Sequence, residues 1–71
     1  MTAVGSIVRF RAYQHYGVIT PPVFEAGDIL RIVEEEVDGV FRCVRLNARG
    51  KVIPGTTDLT FREELEFLNR G

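Results

Sequence analysis

The dipeptide Asp38-Gly39 lies between two valines and constrains the fold of this chain more than any other feature. Asp-Gly between apolar residues is the strongest short-range signal for a β-hairpin, because a two-residue type I′ turn needs positive φ at both central positions. The flanking segments, residues 29–33 and 40–46, are rich in the β-branched and aliphatic side chains that strands favour. We therefore predict a hairpin over residues 27–46.

A two-residue turn also predicts how the two strands of the hairpin align. Counting back from the turn places Val37 opposite Val40, and Glu35 opposite Arg42, a favourable cross-strand pair. The same count predicts two further pairs, Val33 with Val44 and Arg31 with Leu46. This register leaves neither face of the hairpin purely apolar, so we expect a bulge or a strongly bent strand, as in small closed barrels.

Chain length and composition restrict the class of protein. Residues 1–71 are long enough for one domain, and a hydrophobic fraction of 45% argues against disorder. The chain has one cysteine and one histidine, which allow no internal disulfide and no zinc cluster, so we expect a reducing compartment and a cytoplasmic protein. No apolar run approaches the ~20 residues that span a bilayer. We expect no membrane partner, no metal and no cofactor.

Charges are segregated along the chain, although the net charge is only −1. The charged residues within 25–38 are acidic apart from one arginine. The charged residues of the segment that follows are all cations: Arg42, Arg45, Arg49 and Lys51. One interpretation is that two neighbouring strands neutralise each other. The other is a basic patch that binds an acidic partner or nucleic acid.

A long connection follows the first predicted strand, residues 4–10. Residues 11–26 contain two prolines and a glycine and show no helical period, so we predict a loop. Loops of this length in compact domains are often functional, and amphipathic rings are favoured at interfaces. Its aromatic and histidine side chains are the predicted partner-binding set: Tyr13, His15, Tyr16 and Phe24.

The C-terminal third allows two interpretations. A turn at residues 47–50 precedes a short strand, which we expect to stop at Pro54-Gly55, and residues 56–61 are again extended. Residues 61–68 form either a short helix, begun by a capping box from Thr60 to Glu63, or a one-turn 3-10 helix followed by a closing strand. We favour the second, because a barrel needs a last strand to remove its open edge.

The order of these elements resembles the SH3-like small β-barrels. The resemblance rests on an early glycine (Val4-Gly5), a long aromatic loop, the entry Gly27-Asp28-Ile29, a tight hairpin, a second tight turn, and a 3-10 turn before a short last strand. It implies an all-β, five-stranded barrel over nearly the whole chain. The acidic-aromatic run and the tryptophan of the SH3 domains that bind proline-rich peptides are absent. Such barrels serve as adaptors, nucleic-acid binders and enzyme subunits.

The sequence contains no recognisable catalytic set. His15 has no acidic neighbour in sequence, Cys43 lies within a strand pattern, and Glu34-Glu35-Glu36 is typical of a solvated strand edge. We therefore expect a non-catalytic binding domain, a protein–protein adaptor or inhibitor. The alternative is a nucleic-acid-binding barrel that uses residues 42–51. A weaker alternative is a small subunit of an oligomeric enzyme, and self-association stays open.

Overall fold

The computed structural model describes residues 3–12 and 23–69. Its elements are β1 (Ile7–Phe10), β2 (Ile29–Val37), β3 (Val40–Leu46), β4 (Val52–Phe61), a 3-10 turn (Arg62–Glu64) and β5 (Leu65–Asn69). All pairings are antiparallel, and the strands lie in the order β4-β3-β2-β1-β5 in one sheet. The prediction of an all-β protein with five strands is confirmed.

The core lies against one face of the sheet. Alternate residues of β2 and β3 turn the same way, because successive side chains of a strand point to opposite faces. The ring of Phe24 packs on that of Phe10 with 5.6 Å between centroids. Within the described part of the chain, the core consists of Val8, Phe10, Phe24, Leu30, Ile32, Phe41, Cys43 and Leu65.

The predicted hairpin is confirmed, but its turn is not type I′. Gly39 has a φ of 81°, and no described residue other than glycine has a positive φ, so Asp38 lacks the conformation that type I′ requires. Val37 lies opposite Val40 as predicted, and the register shifts immediately before it. A bulge in β2 therefore accompanies the turn.

The predicted register fails beyond the turn because β2 contains two bulges. Glu34 and not Glu35 lies opposite Arg42, while Ile32 lies opposite Cys43. The pairs Val33 with Val44 and Arg31 with Leu46 are also wrong, since Arg31 lies opposite Val44. Each bulge adds one residue to β2, and the expectation of a bulge in this hairpin is confirmed.

β4 passes through Pro54-Gly55, where we expected the strand to stop. β4 is an edge strand, and proline is tolerated there because its missing N–H need not face a neighbour. Gly55 has a φ of 78°, and the β3–β4 ladder shifts register at this point. The Thr56 hydroxyl links β3 and β4 at this interruption of the ladder. It accepts the Arg45 N–H at 3.0 Å and donates to the Ile53 carbonyl at 2.6 Å.

The C-terminal segment forms a 3-10 turn and a strand, which confirms the interpretation that we favoured. β5 pairs with β1, and the Arg62 guanidinium lies over the rings of Phe41 and Phe67, at 5.3 and 5.9 Å from their centroids. β4 and β5 are the two ends of the strand order and share no ladder in the described residues. The sheet is therefore open there, and closure into a barrel stays a prediction. Residues 3–12 and 23–69 contain no helix that is long and apolar enough to cross a membrane.

Candidate interaction surface

One residue of the predicted basic patch, Arg42, is engaged in ion pairs with β2. Arg42 contacts two acidic side chains of the opposite strand: Nε lies 3.8 Å from Glu34 Oε2, and NH2 donates a hydrogen bond to Glu36. That hydrogen bond holds the pKa of Glu36 below its ordinary value and raises the pKa of Arg42. Arg42 is thus neutralised by the strand beside it and fixed in position.

The remaining cations of the predicted patch are arranged differently. Arg45 NH1 lies 3.7 Å from Asp28 Oδ2, so it too has an acidic neighbour. Arg49 and Lys51 are exposed on the β3–β4 turn, where Asn47 Oδ1 accepts the backbone N–H of both residues at 2.8 and 3.0 Å. The structure therefore brings together no cluster of four unneutralised cations.

Apolar side chains form a contiguous surface on the sheet face opposite the core. Val37, Val40 and Phe61 lie side by side across three strands, and Leu59 lies two residues before Phe61 on the same face of β4. Val37 is 62% and Leu59 44% exposed, while the other two are half-buried. We call these four residues the hairpin face.

Arg42 lies at the centre of this surface. It is opposite Leu59 on one side and Glu34 on the other, and its own strand places it two residues from Val40. Together with Arg42, the hairpin face therefore presents exposed apolar area beside a guanidinium that two carboxylates hold in place. Arginine beside exposed apolar area is a combination common at recognition surfaces.

The hairpin face was not predicted from the sequence. The predicted register placed Glu35 opposite Arg42. It therefore did not predict that Glu34 and Glu36 are the acidic residues that contact the guanidinium. A signal was available in β4, where apolar residues at Leu59 and Phe61 alternate with Asp58 and Thr60. Alternation of this kind indicates a strand with one apolar face, although it does not tell which face is covered.

The predicted aromatic set is only partly within the described residues. Tyr13, His15 and Tyr16 lie outside them, so their role as partner-binding residues stays a prediction. Phe24 is described, and it is a core residue, 1% exposed and packed on Phe10. Its ring has no surface to offer a partner, so we correct that assignment.

Cys43 is a core residue in a setting that suppresses its reactivity. The side chain is fully buried, its Sγ lies 3.3 Å from Thr60 Oγ1, and burial raises its pKa to about 11. The thiolate is the reactive form, so the neutral thiol that dominates near pH 7 is a poor nucleophile. In the part of the chain that the structure describes, no three His, Cys, Asp or Glu side chains lie together in an arrangement that would hold a metal ion.

Comparison of the chain with protein-family models, with curated proteins and with solved structures found no match.

Proposed function

We propose that this protein is a non-catalytic interaction module, an adaptor or inhibitor that binds a protein partner through the hairpin face. The observation that carries the proposal is the exposure of Val37 and Leu59 on a surface that also contains Arg42. Solvent-exposed apolar side chains that adjoin one another, edged by charged groups, are typical of protein-binding surfaces.

The arrangement of Arg42 supports a protein partner over nucleic acid. Arginine is enriched among the residues that dominate protein interfaces, and one that is already held in place loses less entropy on binding. A phosphate backbone would compete with Glu34 and Glu36 for the same guanidinium. Arg49 and Lys51 are the exposed cations of the predicted patch that have no acidic partner within the described residues, and two cations give a weak electrostatic footprint.

The SH3-like small barrel is the architectural part of the proposal. Its support is the chain order of a hairpin, a second tight turn, a 3-10 turn and a short last strand that pairs with β1. In the proposed barrel, β4 and β5 approach each other to complete the closure. Tyr13, His15 and Tyr16 form the second part of the proposed partner surface, on the long connection between β1 and β2.

Affinity capture with two matched variants tests the proposal. Leu59 and Leu68 are both 44% exposed, and only Leu59 belongs to the hairpin face. Leu59→Lys should weaken capture of the partner from cells that express the protein at least tenfold, about 1.4 kcal/mol. Leu68→Lys should capture as well as the wild type. Equal capture by all three proteins, with thermal melts that show them folded, would contradict the proposal.

A further inference from the structure

The outer edge of β4 has a backbone polarity that can be read from one hydrogen bond. The Arg62 N–H donates to the Gly39 carbonyl at 2.9 Å, so residue 62 turns its N–H toward the hairpin. Along an antiparallel strand these groups alternate in direction. The N–H groups of Phe61, Leu59 and Thr57 therefore point away from β3, toward the side where the described residues place no further strand.

Two of these outward N–H groups are occupied by carboxylates. Asp58 Oδ1 accepts the N–H of Leu59 at 2.9 Å, and Glu64 Oε1 accepts the N–H of Phe61 at 2.8 Å. One carboxylate comes from the preceding residue and the other from a fully buried side chain of the 3-10 turn. Two of the three donors that an added strand would use in this half of β4 are thus already bonded.

We propose that Asp58 and Glu64 block strand addition at the edge of β4, and that the partner they exclude is a second copy of this chain. Exposed edges promote pairing with other chains, and proteins protect them with charges, prolines and bulges. β4 carries Pro54 and a register shift in its first half. The two carboxylates protect the second half, where neither device is present. This inference is independent of the proposed function.

Complementarity of β4 with itself identifies the second copy as the excluded partner. A symmetric antiparallel pairing centred on Leu59 places Leu59 opposite its counterpart, Thr57 opposite Phe61, and Asp58 opposite Thr60. No like charges face each other, and the two leucines extend an apolar surface across both copies. Moving the centre of the pairing by one residue toward the start of β4 would place Asp58 of one copy opposite Asp58 of the other. A shift toward its end runs into the 3-10 turn.

Removal of the Asp58 carboxylate should therefore allow dimerisation. The pairing centred on Leu59 exchanges two central hydrogen bonds, and both of their donors are the N–H groups that Asp58 occupies in each copy. Asp58→Ala frees both at once because of the twofold symmetry. We expect the dimer dissociation constant to fall at least tenfold relative to the wild type.

Sedimentation velocity of the purified full chain over a concentration series measures this effect. Glu63→Ala is the matched control, because it removes the same charge from an exposed residue of the 3-10 turn and leaves both outward N–H groups bonded. We expect the wild type and Glu63→Ala to sediment as monomers at concentrations where Asp58→Ala dimerises. Adding Thr57→Pro to Asp58→Ala should restore the monomer, since the ring obstructs an incoming strand and removes no N–H that faces β3.

Three results would overturn the proposal. The first is a wild type that dimerises as strongly as Asp58→Ala, the second is a folded Asp58→Ala that stays monomeric, and the third is a dimer that persists with Thr57→Pro. If Asp58→Ala does not fold, Asp58→Val takes its place, because valine lacks the acceptor and favours strands. The same three results apply to that variant.

Discussion

The buried carboxylate of Glu64 accepts the backbone N–H of Phe61 at 2.8 Å and so joins the 3-10 turn to the end of β4. The Glu64 carbonyl in turn accepts the N–H of Arg11 at 2.8 Å. One residue thus links β4, the 3-10 turn and the segment that follows β1.

Glu64→Ala should lower the free energy of unfolding by about 1–3 kcal/mol, because it leaves the Phe61 N–H without its acceptor. For a domain of this size each kcal/mol corresponds to roughly 4–8 °C in melting temperature. Glu64→Gln keeps a side-chain oxygen and should lose clearly less. Thermal melts followed by circular dichroism compare the melting temperatures of the wild type and the two variants. An alanine variant with the same melting temperature as the wild type would show that the contact is dispensable.

The turn at Gly39 gives a second stability prediction. Its φ is 81°, and a Cβ added there would meet no atom within 4 Å, so the cost of substitution is conformational and not steric crowding. Gly39→Val should therefore cost about 1–2 kcal/mol or more, while Gly39→Asn should be milder because asparagine tolerates left-handed backbone. Identical melts for the two variants would be inconsistent with this turn.

Several features of the fold were predictable from local patterns. The Asp38-Gly39 signal located the hairpin, and strand composition indicated its two strands. The residues after Phe61 allowed either a short helix or a 3-10 turn followed by a strand, and the second was favoured because a barrel needs a last strand. The preferences of turn residues and of strand-forming residues act over a few positions, so they depend little on contacts with distant parts of the chain. These predictions are confirmed because tertiary contacts did not oppose them.

The remaining features depend on contacts between distant residues. The bulges in β2 put Glu34 opposite Arg42, and no rule of composition predicts where a bulge falls. Pro54 is tolerated within β4 because β4 is an edge strand, a position that depends on the order of the whole sheet. Phe24 resembled the other aromatic residues of its loop, and only its packing on Phe10 assigns it to the core.

The buried thiol of Cys43 makes the stability of the fold decrease with pH in the alkaline range. Its pKa is raised from 9.0 to about 11, so the folded state favours the neutral form. The neutral thiol contributes on the order of 2–3 kcal/mol to the free energy of unfolding. This contribution is complete below pH 9 and is lost as the pH rises toward 11. Cys43→Val should lack this part of the decline. Denaturant melts from pH 8 to 11 compare the two, and parallel curves would contradict the assigned shift.

Nucleic-acid binding should be weak. With Arg42 and Arg45 beside acidic residues, we expect no complex with single- or double-stranded DNA or RNA tighter than about 10 μM near physiological salt, the range of nonspecific binders. Electrophoretic shifts at several salt concentrations measure this directly. A submicromolar complex that weakens when Arg49 or Lys51 is replaced by alanine would favour the nucleic-acid alternative over a protein partner.

Site-specific photo-crosslinking in cells that express the protein tests the central claim most directly, because it needs no prior identity for the partner. A photoreactive phenylalanine analogue replaces Leu59 on the hairpin face or, as the matched control, Leu68, which is equally exposed. We predict that the Leu59 probe yields a covalent adduct with another protein and that the Leu68 probe does not. An adduct from Leu68 alone, equal adducts from both positions, or none from Leu59 would contradict the account.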